Sequence, residues 1–181
     1  AGNIGKAQAL EKLINFGKFI KKDKLPLIFE IIGEGSNKKN LQKIVKEVNL
    51  EKIIIFKDFM KPKIIEKYLL SADGLLVSLG AGRALSSTIP AKFQTYISFG
   101  KPIFTFSENT VAEIVKRYNI GFVINNKNFK NKILKFLNMS TKDVNQIRSN
   151  SKNIFNKLFE IKKNTANLEK IIKIGLNKWK F

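Results

Sequence analysis

The 181-residue chain carries 34 Lys and Arg against 14 Asp and Glu, a formal net charge of +20, with 44% hydrophobic residues. That apolar content supports one domain with a real core and argues against disorder despite the charge. Cysteine and histidine are both absent, which excludes disulfides, thiolate nucleophiles, Cys/His zinc sites and a Ser-His-Asp triad. A metal would have to rest on the carboxylates, and none of them has calcium-loop spacing. Chemistry on this chain has to run on electrostatics, positioning or groups of the substrate. No apolar run approaches the ~18 residues that span a bilayer. The sequence opens at AGNIGK, mid-motif, and reads as an excised fragment.

Such a charge can steer nucleic acid, anionic lipid or phosphorylated substrates. The lysines are spread through every segment among many Asn and Ile, a pattern that an A/T-biased genome would also produce. There is no Arg-rich block, aromatic-basic interleaving or recognition helix, so nucleic acid is the disfavoured partner.

In chain order, residues 1–5 read as a strand end and its loop. Residues 6–20 place Ala7, Leu10, Leu13, Ile14 and Gly17 at helical spacing. Residues 25–32 (LPLIFEII) read as a buried parallel-type strand closed by Gly33-Glu34-Gly35-Ser36. A helix follows over 37–48, a β-branched strand over 53–56, and a helix opened by Pro62. The next strand is 74–79 (GLLVSL), followed by a glycine-containing loop over 80–89. Strands at 103–106 and 121–124 flank a helix that Ser107 can cap, and everything after Asn125 is helical. The expected fold is α/β: a Rossmann-like, doubly wound parallel sheet of about six strands, in one domain over 1–181 with a helical tail from about 126.

The stretch over 86–104 (SSTIPAKFQTYISFGKPIF) organises the rest. Ser87 or Thr88 can cap a helix, Pro90 suits its first turn, and Gly100 with Pro102 stops it before the next strand. Lys92 sits in that first turn, where the helix dipole disfavours a cation. A bound anion would reconcile the two, because helix N-termini bind phosphates; the bland alternative is a solvated surface lysine. With strand order 3-2-1-4-5-6, the switch point falls between the first strand and the strand at 74–79. The loops 2–6 and 80–92 then flank one crevice, with Lys6 and Lys92 on its rim. Gly2-Asn3-Ile4-Gly5-Lys6 suits close backbone approach to a phosphate but is neither a P-loop nor a G-x-G-x-x-G. Gly80-Ala81-Gly82-Arg83 reads as a basic loop beside the crevice. Glu108 and Glu113 complement a helix dipole, and Phe93, Tyr96 and Phe99 read as packing. Gly33-Glu34-Gly35-Ser36 reads as a structural turn before a phosphate loop.

Taken together, GNIGKAQALEKLI, IIGEGSNKKNLQ, IIIFKDFM, KYLLSADGLLVSL and TIPAKFQTYISFGKPIF resemble the carboxyl-terminal half of bacterial family-4 glycosyltransferases, over residues 1 to about 126. Within the family the chain is most similar to enzymes that build O-antigen, capsule or related cell-surface glycans. The resemblance implies one Rossmann-like half of a GT-B enzyme, the half that binds the nucleotide-sugar donor. The amino-terminal acceptor domain would lie outside this fragment. It implies retention of anomeric configuration, no metal and no cofactor, a UDP-sugar as donor, and a glycan or lipid-linked acceptor. The enzyme would be cytoplasmic, with its basic face available to the inner surface of the membrane; the fragment alone would transfer little or no sugar.

By the same resemblance, Gly5 and the neighbouring backbone would approach the diphosphate, Lys92 would neutralise it as the catalytic residue, and Gly2, Asn3, Lys6 and Gly33 would belong to the donor-binding set. Phe56 borders the base, and Ser86 and Ser87 lie near the sugar. Many family members carry two glutamates eight positions apart, where this chain has Ser87 and Thr95. The ribose would then fall to Thr95 or Gln94, with neutral hydroxyl or amide contacts weaker than a carboxylate's. The Arg and Lys common in the family's first loop fall at Asn3 and Gln8. The alternatives are a basic module for nucleic acid or anionic lipid, and a GT-B sugar-nucleotide epimerase; the latter leans on carboxylates and histidines this chain lacks.

Overall fold

The computed structural model describes residues 1–80, 88–106 and 109–178. After a 3₁₀ turn (Lys6–Gln8), helices and strands alternate: α1 (Lys12–Lys22), β1 (Phe29–Ile32), α2 (Lys38–Glu47), β2 (Ile54–Lys57), α3 (Pro62–Ser71) and β3 (Leu75–Val77). Then come α4 (Ala91–Ser98), β4 (Ile103–Thr105), α5 (Thr110–Arg117) and β5 (Gly121–Val123). The chain ends in α6 (Phe129–Leu137), α7 (Thr141–Leu158) and α8 (Ile161–Lys178). All strand pairs are parallel: β1 with β2, Phe29 opposite Ile54, and β3 with β4 with β5, Leu75 opposite Ile103 and Ile103 opposite Gly121.

Successive residues of a strand face opposite sides, and β4 feeds two cores that way. Phe104 packs with Phe16, Ile20, Val45, Phe122 and Phe129 on the side covered by α1, α2 and α6. Ile103 packs with Leu69, Phe93, Ile97, Val111 and Ile154 on the side covered by α3, α4, α5 and α7. The Phe16 and Phe129 rings stack at 4.2 Å across the first core. This is the expected Rossmann-like layering, with helices on both faces and additional helices at the carboxyl end.

Several expected boundaries need correction. Among the described residues five strands form, in two sheets, where about six in one sheet were expected. Residues 1–4 donate one backbone bond to the end of β1, at Ile32 O, and one to the turn beyond it, at Glu34 O, and form no assigned strand. The strand expected from residue 25 begins at Phe29, because Lys24 has φ +50° and Leu25 N–H turns back to Ile20 O. The helix expected from residue 6 begins at Lys12. Ala9 takes φ +46° after the 3₁₀ turn, and the Ala7 and Gln8 carbonyls are taken by Gly80 N–H and the Ser78 hydroxyl. Pro90 is the N-cap of α4 rather than a residue of its first turn, and α5 is capped by Asn109, whose side-chain oxygen accepts from Val111 and Ala112 N–H. The Ser107 expected there lies outside the described residues.

The expected stop holds: Gly100 follows α4 with φ +64°, and a Cβ there would meet Arg148 Cγ at 2.8 Å. Phe93 is fully enclosed between α4 and the sheet and makes an edge contact with Phe159. Phe93→Ala should lower unfolding free energy by about 3–5 kcal/mol, read from urea denaturation of both forms.

Candidate functional site

The site is assembled on the segment 1–8. Gly2 N–H donates to Ile32 O and Ile4 N–H to Glu34 O, each at 2.8 Å, and Asn37 N–H donates to Ile4 O at 3.0 Å. Only glycine allows so close an approach. A Cβ on Gly33, at φ +140°, would lie 1.9 Å from Gly2 O, and one on Gly35 would lie 2.4 Å from Ile4 O. The turn is pinned from beyond by Lys38, which pairs with Glu34 at 2.6 Å and Asp58 at 2.8 Å. Gly33-Glu34-Gly35-Ser36 is therefore a structural clasp on the first loop.

From Gly5 the chain crosses to the end of β3. Gly5 N–H donates to Gln8 Oε1 at 2.9 Å, Gly80 N–H donates to Ala7 O at 2.7 Å, and the Ser78 hydroxyl donates to Gln8 O. The loop after residues 1–5 and the loop after β3 are thus joined, as the switch-point argument requires. Lys92, at the second position of α4, reaches back over this junction: a Cβ on Gly2 would sit 3.7 Å from its Nζ. Half-buried, it has no hydrogen-bond or ion-pair partner among the described residues, and burial holds its pKa below the usual lysine value. A desolvated, unpaired ammonium beside glycine backbone and the first turn of a helix is arranged to receive an anion.

Ala1 lies on the same junction. Its amine donates to the Tyr96 hydroxyl at 2.7 Å, and burial first, then the Lys92 charge, pushes its pKa down to about 5. Burial pushes the Tyr96 phenol up to about 12, so it stays neutral.

Of the residues the sequence singled out, Gly2, Asn3, Gly5 and Lys92 come together here, with Gly33 directly beneath Gly2. Lys6 is exposed on the 3₁₀ turn. Gln94 is half-buried and Thr95 exposed further along α4, the Thr95 hydroxyl donating to Ala91 O at 3.2 Å. Phe56 is on β2, separated from residues 1–4 by β1, and half-buried against the first core. Ser86, Ser87 and Arg83 lie outside the described residues. Gln8, Ser78 and Tyr96 had not been given these roles. A lone serine in the apolar GLLVSL run was the one available signal for Ser78. Among the described residues no group of three or more Asp or Glu could hold a metal, and no helix is long and apolar enough to cross a membrane.

The family model for glycosyl transferases group 1 matches residues 1–154. The chain belongs to that family. Its fold is shared with solved structures at low identity. HepE from Anabaena in complex with UDP-glucose matches with TM-score 0.72 and 15% identity, over 95% of this chain and 48% of that one. TarM from S. aureus, in complex with fondaparinux, alpha-GlcNAc-glycerol and UDP, matches with TM-score 0.69 and 18% identity, over 99% and 35%. The carboxyl-terminal domain of the group 1 glycosyltransferase LpcC from Francisella tularensis matches with TM-score 0.64 and 18% identity, over 88% and 85%. The chain spans between about a third and a half of the TarM and HepE chains. No curated protein matches the sequence. This glycosyltransferase domain thus has the architecture of a Rossmann-like half of a GT-B fold.

Proposed function

We propose that this chain is the donor-binding domain of a nucleotide-sugar-dependent, metal-independent glycosyltransferase. The observation that carries the reading is Lys92: a desolvated ammonium, without a partner among the described residues, over the Gly2 backbone, at the start of α4 and at the joined loops. A nucleoside diphosphate would satisfy all three. Its phosphate oxygens would accept from the Lys92 ammonium and from backbone N–H groups at the Gly2–Gly5 loop, with Asn3 and Lys6 at the rim. As the glycosidic bond to the leaving diphosphate breaks, Lys92 would stabilise the charge that develops there. The burial that lowers its pKa also strengthens this interaction, because the charges meet in a poorly screened environment.

The remaining assignments follow the same reading. Thr95 or Gln94 would hold the ribose, Thr95 through its acceptor lone pairs since its proton is already directed to Ala91 O. Phe56 would border the base, and Ser86 and Ser87 the sugar. UDP in the TarM and HepE complexes supports a UDP-sugar donor. The acceptor, a cell-surface glycan or a lipid-linked sugar, would be held by a further domain, and a cytoplasmic enzyme would meet it at the inner membrane face. The exposed Leu168, Ile171 and Ile172 of α8, beside Lys170 and Lys173, favour an anionic lipid surface there. Equal cosedimentation with anionic and neutral vesicles would rule that contact out.

The deciding measurement is thermal stability of the chain with UDP, GDP, ADP and dTDP. A nucleotide at 100 times its dissociation constant should stabilise by about 2.7 kcal/mol, and Lys92→Ala should remove most of that gain. No shift with any nucleotide, or equal shifts in both proteins, would overturn the reading. Binding an anion favours the charged form of Lys92, so affinity should fall as pH rises through its lowered pKa. Calorimetric titration from pH 7 to 10 should show that fall in the native chain and not in Lys92→Ala.

A further inference from the structure

Two cations stand at helix starts beyond the carboxyl end of β1, and their surroundings are opposite. Lys92 has no partner among the described residues, whereas Lys38, the first residue of α2, has three acceptors. Its Nζ donates to Glu34 Oε1 at 2.6 Å, to Asp58 Oδ1 at 2.8 Å and to Lys57 O at 3.4 Å. The Lys38 side chain is 8% exposed, while those of Glu34 and Asp58 are 58% and 94% exposed. The Asp58 carboxylate, then that of Glu34, raises the Lys38 pKa above the usual lysine value, so the group stays charged. Burying an ammonium is costly, and the dipole of α2 adds to that cost. An apolar side chain could fill the space at neither cost, so packing does not explain a lysine here.

The positions of the three acceptors do. Glu34 is the turn residue whose carbonyl accepts from Ile4 N–H at 2.8 Å, and Asn37, beside Lys38, donates its N–H to Ile4 O at 3.0 Å. Lys57 O, at the end of β2, also accepts from Gly33 N–H at 3.1 Å, and Asp58 is the first residue beyond that strand. One ammonium therefore bridges the turn that carries residues 2–4 and the segment that leaves β2. The turn is the part most in need of a brace, because its two glycines have the most conformational freedom to lose.

We propose that Lys38 is a positioning residue for donor binding, fixing the phosphate loop through Glu34 and tying it to the base end of the site through Asp58. The proposal rests on the donor reading above, in which the Gly2–Gly5 backbone receives the diphosphate and Phe56, two residues before Asp58, borders the base. Lys38 acts on both through the turn rather than by contact with the ligand. Its two arms then have separable effects. Releasing Glu34 disturbs the loop under the diphosphate and weakens any ligand that carries one. Releasing Asp58 frees the segment after β2 and weakens only a ligand that also carries a nucleoside.

Calorimetry with UDP, and with inorganic pyrophosphate competing against it, tests this on Glu34→Gln, Asp58→Asn and Lys38→Met. By charge alone, removing a carboxylate near a diphosphate tightens binding, so a loss reports position. Glu34→Gln should weaken both ligands about 10-fold, and Asp58→Asn should weaken UDP about 10-fold while leaving pyrophosphate within about 2-fold. Lys38→Met should weaken both, and adding Asp58→Asn to it should cost UDP nothing further. Without any ligand, amide exchange at Ile4 should quicken on the order of 10-fold in Glu34→Gln and Lys38→Met, with the buried Val115 of α5 unchanged. Unchanged exchange at Ile4, equal quickening at Val115, unweakened binding in Glu34→Gln, or equal losses of UDP and pyrophosphate in Asp58→Asn would each overturn the proposal. If Lys38→Met does not fold, the two exposed carboxylate variants decide by the same readouts. A native chain that binds no UDP would overturn the donor reading by itself, and exchange at Ile4 would still decide whether Lys38 sets the loop.

Discussion

The site depends on one close approach: the backbone of residues 2–4 lying against the turn after β1. Gly33 and Gly35 make it sterically possible, and three backbone hydrogen bonds make it favourable. Each such bond contributes only about 0.5–1.5 kcal/mol net. The geometric consequence is larger than the energetic one. Held there, the chain must cross the sheet edge within a few residues, and it does so by giving the Ala7 and Gln8 carbonyls to the end of β3. Those bonds consume the acceptors an α-helix would need and displace its start to Lys12. The first loop is thus a backbone surface open to a ligand rather than a helix terminus.

The parts of the fold legible in the sequence were those decided locally. Pro102 and Gly100 announce the end of α4 because one cannot donate and the other tolerates φ +64°. The apolar runs before β3 and β4 read as buried parallel strands because they are apolar on both faces, which the two cores confirm at Ile103 and Phe104. The misread boundaries were decided by distant partners. Residues 6–20 have a continuous helical period, and nothing local says that Ser78 and Gly80 will claim two of their carbonyls. Residues 25–28 look like strand, but their edge faces a cleft and their chain direction is still set by the turn out of α1. Asn109 and Ser107 are equally good caps by composition, and only the observed bonds to Val111 and Ala112 choose between them.

The candidate site divides the same way. Lys92 was legible because a cation in a helical first turn is a local contradiction, and contradictions of that kind gather at functional sites. Strand order, a global argument, set it on the rim of a crevice beside the loop 2–6; its nearness to Gly2, where a Cβ would sit 3.7 Å from its Nζ, appears only in the structure. Tyr96 was legible only as packing: its ring is core, and the role of its hydroxyl appears only when Ala1 is brought to it. Gln8 gave no signal beyond its position, since capping Gly5 N–H depends on a 3₁₀ turn the sequence does not announce.

Lys92 also shows why the junction asks for an anion rather than merely tolerating a lysine. Burial, the dipole of α4 and the lack of a partner among the described residues all oppose its charge, and its lowered pKa reflects the first of these. The ammonium could escape by turning to water, as lysines on long flexible stems do. Instead it lies over Gly2, a glycine at φ +120° with no side chain to stand in the way. A glycine that keeps space open and a cation that occupies its rim each carry a cost, in backbone entropy and in desolvation. A polyanion bound between them offsets both, because it pairs the charge and accepts from the backbone that the missing side chain exposes.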